Sequence, residues 1–137
     1  MTPQEMATTH AAAFTQSRPW TAEEFADLLS NRFTHALGNK HCFAVFQVIA
    51  DSAELLTIAT HPDRQKQGLA RETMALWQAE ATRLGATHAI LDVAADNMPA
   101  LSLYQSCGYA RCGFRPAYYL RENAPNMDAI VMERGLP

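Results

Sequence analysis

Cysteine is scarce: Cys42, Cys107 and Cys112 are an odd number with no C-x-x-C spacing. That argues against a disulfide framework and a thiolate zinc site, and it suggests reduced structural thiols, with Cys107 and Cys112 as small buried residues. Long apolar runs are missing as well. The richest stretches, residues 42–50 and 55–59, are bounded or broken by Gln47, Asp51 and Glu54, far short of the roughly 20 residues of a membrane helix. The opening M-T-P-Q-E-M-A-T-T-H has neither the basic patch nor the apolar centre of a signal peptide, so a cytoplasmic chain with no membrane partner is expected. A surplus of positive charge is also absent. Eleven Lys and Arg stand against 14 Asp and Glu, for a net charge of −3, which argues against an extended nucleic-acid footprint.

What is present is a globular balance, 48% apolar and 18% charged, with no linker, repeat or low-complexity tract across 137 residues. One domain, residues 1–137, is expected. Thr21 followed by Glu24, with Phe25, Leu28 and Leu29 on one stripe, predicts an amphipathic helix over residues 21–30. Residues 42–50 and 54–60 read as strands joined at Asp51 in an antiparallel hairpin. A helix stripe of Leu69, Thr73, Leu76, Trp77 and Leu84 stops at Gly85. The apolar run 89–94, holding one carboxylate, Asp92, fits a strand covered on both faces. Strand, helix and strand in that order imply a right-handed crossover. A short helix capped by Asp96 or Asn97 ends at Gly108, and strands over 109–114 and 127–133 flank an irregular stretch, residues 115–126. The sum is a mixed α/β domain with its site at the strand ends facing the crossover helix.

The octet R-Q-K-Q-G-L-A-R, residues 64–71, opens that helix with bases and a glycine, where helix starts usually attract Asp or Glu. Gly68 lets backbone approach a ligand, and the N–H groups of the first turn, with Arg64, Lys66 and Arg71 beside them, suit a phosphate or pyrophosphate. A solvated surface loop is the other reading of the same residues. Neither the Walker pattern nor the G-x-G-x-x-G fingerprint occurs, which turns the expectation from ATP or NAD to a phosphate-bearing carrier held mainly by backbone.

Gln65-x-x-Gly68-x-Ala70 resembles the pyrophosphate loop, [RQ]-x-x-G-x-[GA], of the GNAT N-acetyltransferases. Downstream, L-D-V-A-A-D-N-M-P-A-L-S-L-Y-Q-S-C-G-Y, residues 91–109, is similar to that family's second half at matching spacing. Pro19-Trp20 with Phe25, I-A-T-H-P-D at 58–63, Arg115 with Tyr118-Tyr119, and D-A-I-V-M at 128–132 extend the likeness to the RimI-like, ribosomal-protein-alanine branch.

The resemblance implies a GNAT fold with splayed central strands and acetyl-CoA as cofactor. Its pantetheine arm would lie along the backbone of Ile58, Ala59 and Thr60, and its pyrophosphate at Lys66, Gln67, Gly68, Leu69, Ala70 and Arg71. Asn97 would make a polar contact nearby, although it is equally a helix cap. Asp92 stands where the family commonly has Glu, and its implied role is the base that relieves the acceptor amine of a proton; an Asp near a strand end can also simply satisfy loop N–H groups. One methylene fewer shortens its reach by roughly 1.5 Å, which a bridging water could span. Tyr104 would protonate the departing thiolate, or else only pack. Arg115, Tyr118 and Tyr119 would line the mouth where a protein N-terminus enters, with a ribosomal-protein alanine as first expectation. No metal is required. A lysine or small-molecule acceptor, or a non-catalytic acyl-CoA-binding module, are the alternatives.

Overall fold

The computed structural model describes residues 1–15 and 18–137. Its elements follow in the order α1 (Pro3–Ala13), α2 (Ala22–Ser30), β1 (Thr34–Asn39), β2 (Cys42–Ile49), β3 (Ser52–Thr60), α3 (Leu69–Arg83), β4 (His88–Ala94), α4 (Met98–Ser106), β5 (Ala110–Tyr119) and β6 (Met127–Gly135). Six strands form one sheet in the order β1-β2-β3-β4-β6-β5. Only β3 and β4 pair in parallel, which the crossover through α3 requires; the other neighbours are antiparallel.

Each face of the sheet has its own apolar layer. Under α3 and α4 lie Phe46, Leu55, Met74, Trp77, Leu91, Tyr104, Ile130 and Met132, all buried. Under α1 and α2 lie Met6, Phe25, Phe43, Val45 and Ala59. Strand β3 feeds both layers because it carries a bulge. Leu55 pairs with Phe46 and Thr57 with Val45, leaving Leu56 as an extra residue. Before it, Ala53 and Leu55 face the α3 layer; after it, Ala59 faces the α1 layer. A bulge bends its strand and adds twist. The parallel ladder with β4 runs only from Ser52↔His88 to Leu55↔Leu91, ending where the bulge begins, although β3 continues to Thr60 and β4 to Ala94.

The predicted helix at residues 21–30 is α2, and its Thr21–Glu24 capping box is formed. The predicted hairpin is β2–β3. Two elements were not anticipated. Helix α1 has little apolar periodicity and announces itself only through a Thr2–Glu5 capping box with Pro3 in its first turn. Strand β1, T-H-A-L-G-N, lacks clear alternation and is half-buried at the sheet edge. The α3 stripe also differs, being Thr73, Met74, Trp77 and Ala81, while Leu76 is 57% exposed. Residues 115–119, expected to be irregular, continue β5. Cys112, expected to be buried, is exposed beside a register shift on the edge strand, whereas Cys107 is half-buried.

His10 locks the α1 layer. Its ring stacks between Phe14 and Trp20, with centroids at 4.3 and 5.1 Å. Nδ1 accepts from the Trp20 N–H at 3.1 Å, so the proton of the neutral ring sits on Nε2, which faces Thr57 Oγ1 at 3.3 Å. Burial pushes its pKa down to about 4, so the folded state prefers the neutral ring. Between pH 6.5 and about 4 the unfolded chain binds this proton and the native one does not, so stability falls as pH falls through that window and this contribution flattens below it. The loss should be on the order of 2–3 kcal/mol. Urea midpoints from pH 7.5 to 4 should show it in wild type, and a His10→Phe variant should show a correspondingly shallower slope.

Candidate active site

Helices α1, α2 and α4 each start with a side chain that accepts from their first-turn amides: Thr2, Thr21 and Asn97. Helix α3 has no such cap. Its N-cap is Gly68, in the left-handed conformation at φ 79°, so the exposed first-turn amides have no partner among the described side chains. A Cβ on Gly68 would meet nothing within 4 Å, so the glycine is required by its φ and not by crowding. Lys66 also has positive φ, 62°, and Arg64, Gln65, Lys66 and Gln67 are all exposed around this amide-lined end. Leu69 and Ala70 begin the helix, and Arg71 is anchored to α4 through its bond to Ser106 Oγ at 2.8 Å. The residues of the octet thus meet the two requirements of an anion site, aligned donors and nearby positive charge.

Past Leu55, the edge of β3 that faces β4 is unpaired, and Ile58, Ala59 and Thr60 lie in that segment. An extended arm bearing amide groups could add there as a strand does. Asp92 is the first β4 residue beyond the parallel ladder, paired on its other side with Val131 of β6. Leu91 and Val93 point into the α3 layer, so Asp92 points to the opposite face, with a side chain 16% exposed.

On that face Arg115 Nε stands 3.5 Å from Asp92 Oδ1, its guanidinium 5.5 Å from the Tyr118 ring centroid, and Tyr118 meets Tyr119 edge-on at 5.2 Å. Burial pushes the Tyr119 hydroxyl up, and the Asp92 and Tyr118 charges add to this. Tyr104 arrives from α4, nearly buried; burial raises its pKa most, followed by Tyr119 and Cys107. Tyr104 packs in the α3 layer and Asp92 faces the other side of the sheet, with Tyr119 near both, so the predicted acid, the predicted base and the predicted acceptor wall lie at one end of the sheet. Tyr104 Oη makes no hydrogen bond with another described residue and is not among the sealed polar atoms. A high pKa keeps that hydroxyl protonated and able to donate. Asn97 caps α4 through Oδ1, accepting from the Ala100 N–H at 3.2 Å.

Two further features were not anticipated. Arg121 forks onto both carboxylate oxygens of Asp96 at 3.0 Å, and Ala95 N–H donates to the Asp128 carbonyl, which together fasten the 120–126 turn to the end of β4. Glu54 lies near Asp92 on the same face. Neither pairing has a signature in sequence spacing, since 25 and 38 residues separate the partners. A hollow of about 430 Å³ between α1 and the Pro62–Arg64 turn is lined by Thr8, Lys40, His41, His61 and Arg64 and does not reach Asp92 or Tyr104. Among the described residues there is no cluster of three His, Cys, Asp or Glu suited to a metal, and no helix long and apolar enough to cross a membrane.

The model of the acetyltransferase (GNAT) family matches residues 8–109. The chain belongs to this family. It is 34% identical over 118 residues to the [Ribosomal protein bS18]-alanine N-acetyltransferase of Escherichia coli (strain K12), covering 83% of this chain and 79% of that protein. The crystal structure of the ribosomal-protein-S18-alanine N-acetyltransferase from Escherichia coli superposes with a TM-score of 0.86 at 29% identity, over 98% of this chain and 87% of that one. Ard1 from Thermoplasma volcanium shares the fold, at TM-score 0.83 and 19% identity, over 100% of this chain and 95% of that one. The mixed sheet, the separated central strands and the uncapped crossover helix are thus a GNAT arrangement. As a GNAT acetyltransferase the chain is an enzyme that draws on acetyl-CoA.

Because no neighbour crowds Gly68, Gly68→Ala isolates the cost of its left-handed backbone. Urea unfolding should show a loss of about 1 kcal/mol, with an unchanged m-value.

Proposed function

We propose that this chain transfers the acetyl group of acetyl-CoA to the α-amine of a protein N-terminus, with a ribosomal-protein alanine as the first candidate acceptor, in the cytoplasm and as a single domain over residues 1–137. The observation that supports it most is the conjunction of the uncapped α3 start at Gly68 with the β3 edge left unpaired after Leu55. One end suits a diphosphate and the other an amide-bearing arm, which are the two parts of coenzyme A that a protein can hold by backbone alone. When bound, acetyl-CoA supplies an activated thioester.

The side chains then divide the work. Lys66, Gln67, Gly68, Leu69, Ala70 and Arg71 would receive the pyrophosphate, and main-chain donors of Ile58, Ala59 and Thr60 would steady the thioester carbonyl. An α-amine with a pKa near 7.7–8.0 is largely protonated at neutral pH. Asp92, half-sheltered at the end of the ladder, takes a proton from it through water. Tyr104, held protonated by burial, gives one to the leaving sulfur. Arg115, Tyr118 and Tyr119 form the wall along which the acceptor backbone lies, and the Arg121–Asp96 fork keeps that wall in place. Nucleic acid has no part in it.

Thiol release from acetyl-CoA with a peptide beginning in alanine tests this directly. Asp92→Ala and Tyr104→Phe should each lower kcat by roughly 10²-fold or more at pH 7. The Asp92→Ala deficit should shrink as pH rises past the amine's own pKa. The same peptide with a blocked N-terminus should be inert; turnover of a lysine-containing blocked peptide instead would transfer the assignment to side-chain acetylation.

A further inference from the structure

Glu54 is a carboxylate near Asp92 that the foregoing reaction leaves unused. It occupies β3 opposite Ile90, one register step before the ladder ends. Its neighbours Ala53 and Leu55 point into the α3 layer, as do Leu91 and Val93 around Asp92. Both carboxylates therefore project from the same open face, on adjacent strands, as diagonal neighbours about 7–8 Å apart at the backbone. They differ in what holds them. Asp92 has Arg115 Nε at 3.5 Å and is short-armed; Glu54 is exposed at the residue level, one methylene longer, and makes no ion pair or side-chain hydrogen bond with another described residue.

We propose that Glu54 completes the base: Asp92 receives the acceptor's proton at the gap between the strands, and Glu54 accepts it from Asp92 through water and delivers it to solvent along the open face. The inference rests on the acetyl-transfer reading above. It explains how a shortened base, tethered to a guanidinium, returns to its ionised form on each turnover. Partial burial, then the neighbouring Asp92 charge, raise the Glu54 pKa, while Arg115 opposes them. A proton thus resides more readily on Glu54 than on an ordinary surface glutamate. The other charged or titratable groups on this face are His88 on β4, Glu133 on β6 opposite Ile90, and Cys112 and Tyr119 on β5, both close enough to Asp92 to feel its charge. The balance is simple. The amine nitrogen forms its C–N bond as the thioester C–S bond breaks. Of the two protons the ammonium loses, one leaves through Asp92 and Glu54, and the other replaces the one Tyr104 gives to the sulfur.

The test combines a kinetic and a spectroscopic measurement on the whole chain. Glu54→Gln keeps size and shape on an exposed face. It should lower kcat about tenfold or more at pH 7 in weak buffer, leave the calorimetric affinity for coenzyme A unchanged, and recover most of the rate when imidazole is added as a mobile proton carrier. In the protein without ligand, the Glu54 carboxyl carbon, followed by NMR, should titrate above the usual glutamate range and return towards it in Asp92→Asn. Wild-type turnover with an unaffected Glu54→Gln overturns this inference alone, as does a loss that imidazole does not rescue, or a Glu54 titration indifferent to Asp92→Asn. A wild type that turns over no amine overturns the acetyl-transfer reading and the relay with it.

Discussion

Everything at the functional end follows from one interruption, the end of the parallel β3–β4 ladder at Leu55↔Leu91. A parallel pair in mid-sheet normally runs its full length, because unpaired N–H and C=O groups are costly to bury. Here the ladder stops after four residue pairs while both strands go on. The stop coincides with the bulge at Leu56, where the strand bends and twists. The same separation leaves Asp92 beside the gap, with Glu54 just before it and Tyr104 arriving from α4.

The two apolar layers make that interruption rigid. Trp77 and Met74 fix α3 on one face, so the exposed amides at Gly68 keep their aim relative to the strand ends. On the other face, Phe25, Phe43 and the neutral His10 hold α1 and α2 over β2 and β3, and leave β4, β6 and β5 uncovered where the wall of Arg115, Tyr118 and Tyr119 stands. Arg121 and Asp96 then brace the turn beyond that wall.

Much of this was legible in the chain. The octet at 64–71 stands out because bases and glycine at a helix start contradict the usual preference, and α3 begins there without a side-chain cap. Thr21 and Glu24 foretell α2 because a capping box is local. Thr2, Pro3 and Glu5 form the same signal for α1, but its apolar stripe is too thin to mark a helix; its stability comes from Met6, Thr9 and His10 meeting other elements. Leu76 fits the predicted stripe yet lies exposed, because tertiary packing decides the margin of a helical stripe and here sets the small Thr73 and Ala81 against the sheet. Glu54 beside Asp92, and Arg121 on Asp96, depend on strand order and register, which no short-range spacing encodes.

The extra residue at Leu56 has a consequence for how this strand can change. It works as a frame change, so that even-numbered side chains serve one layer upstream and the other layer downstream. Point substitutions on either side are read independently by different cores. A single-residue deletion between Leu55 and Thr57 would instead restore plain alternation, with Leu55 on the α3 layer and Thr57 and Ala59 still on the α1 layer, and remove the bend that the bulge gives the strand. Length at this point is therefore a stricter inheritance than side-chain identity.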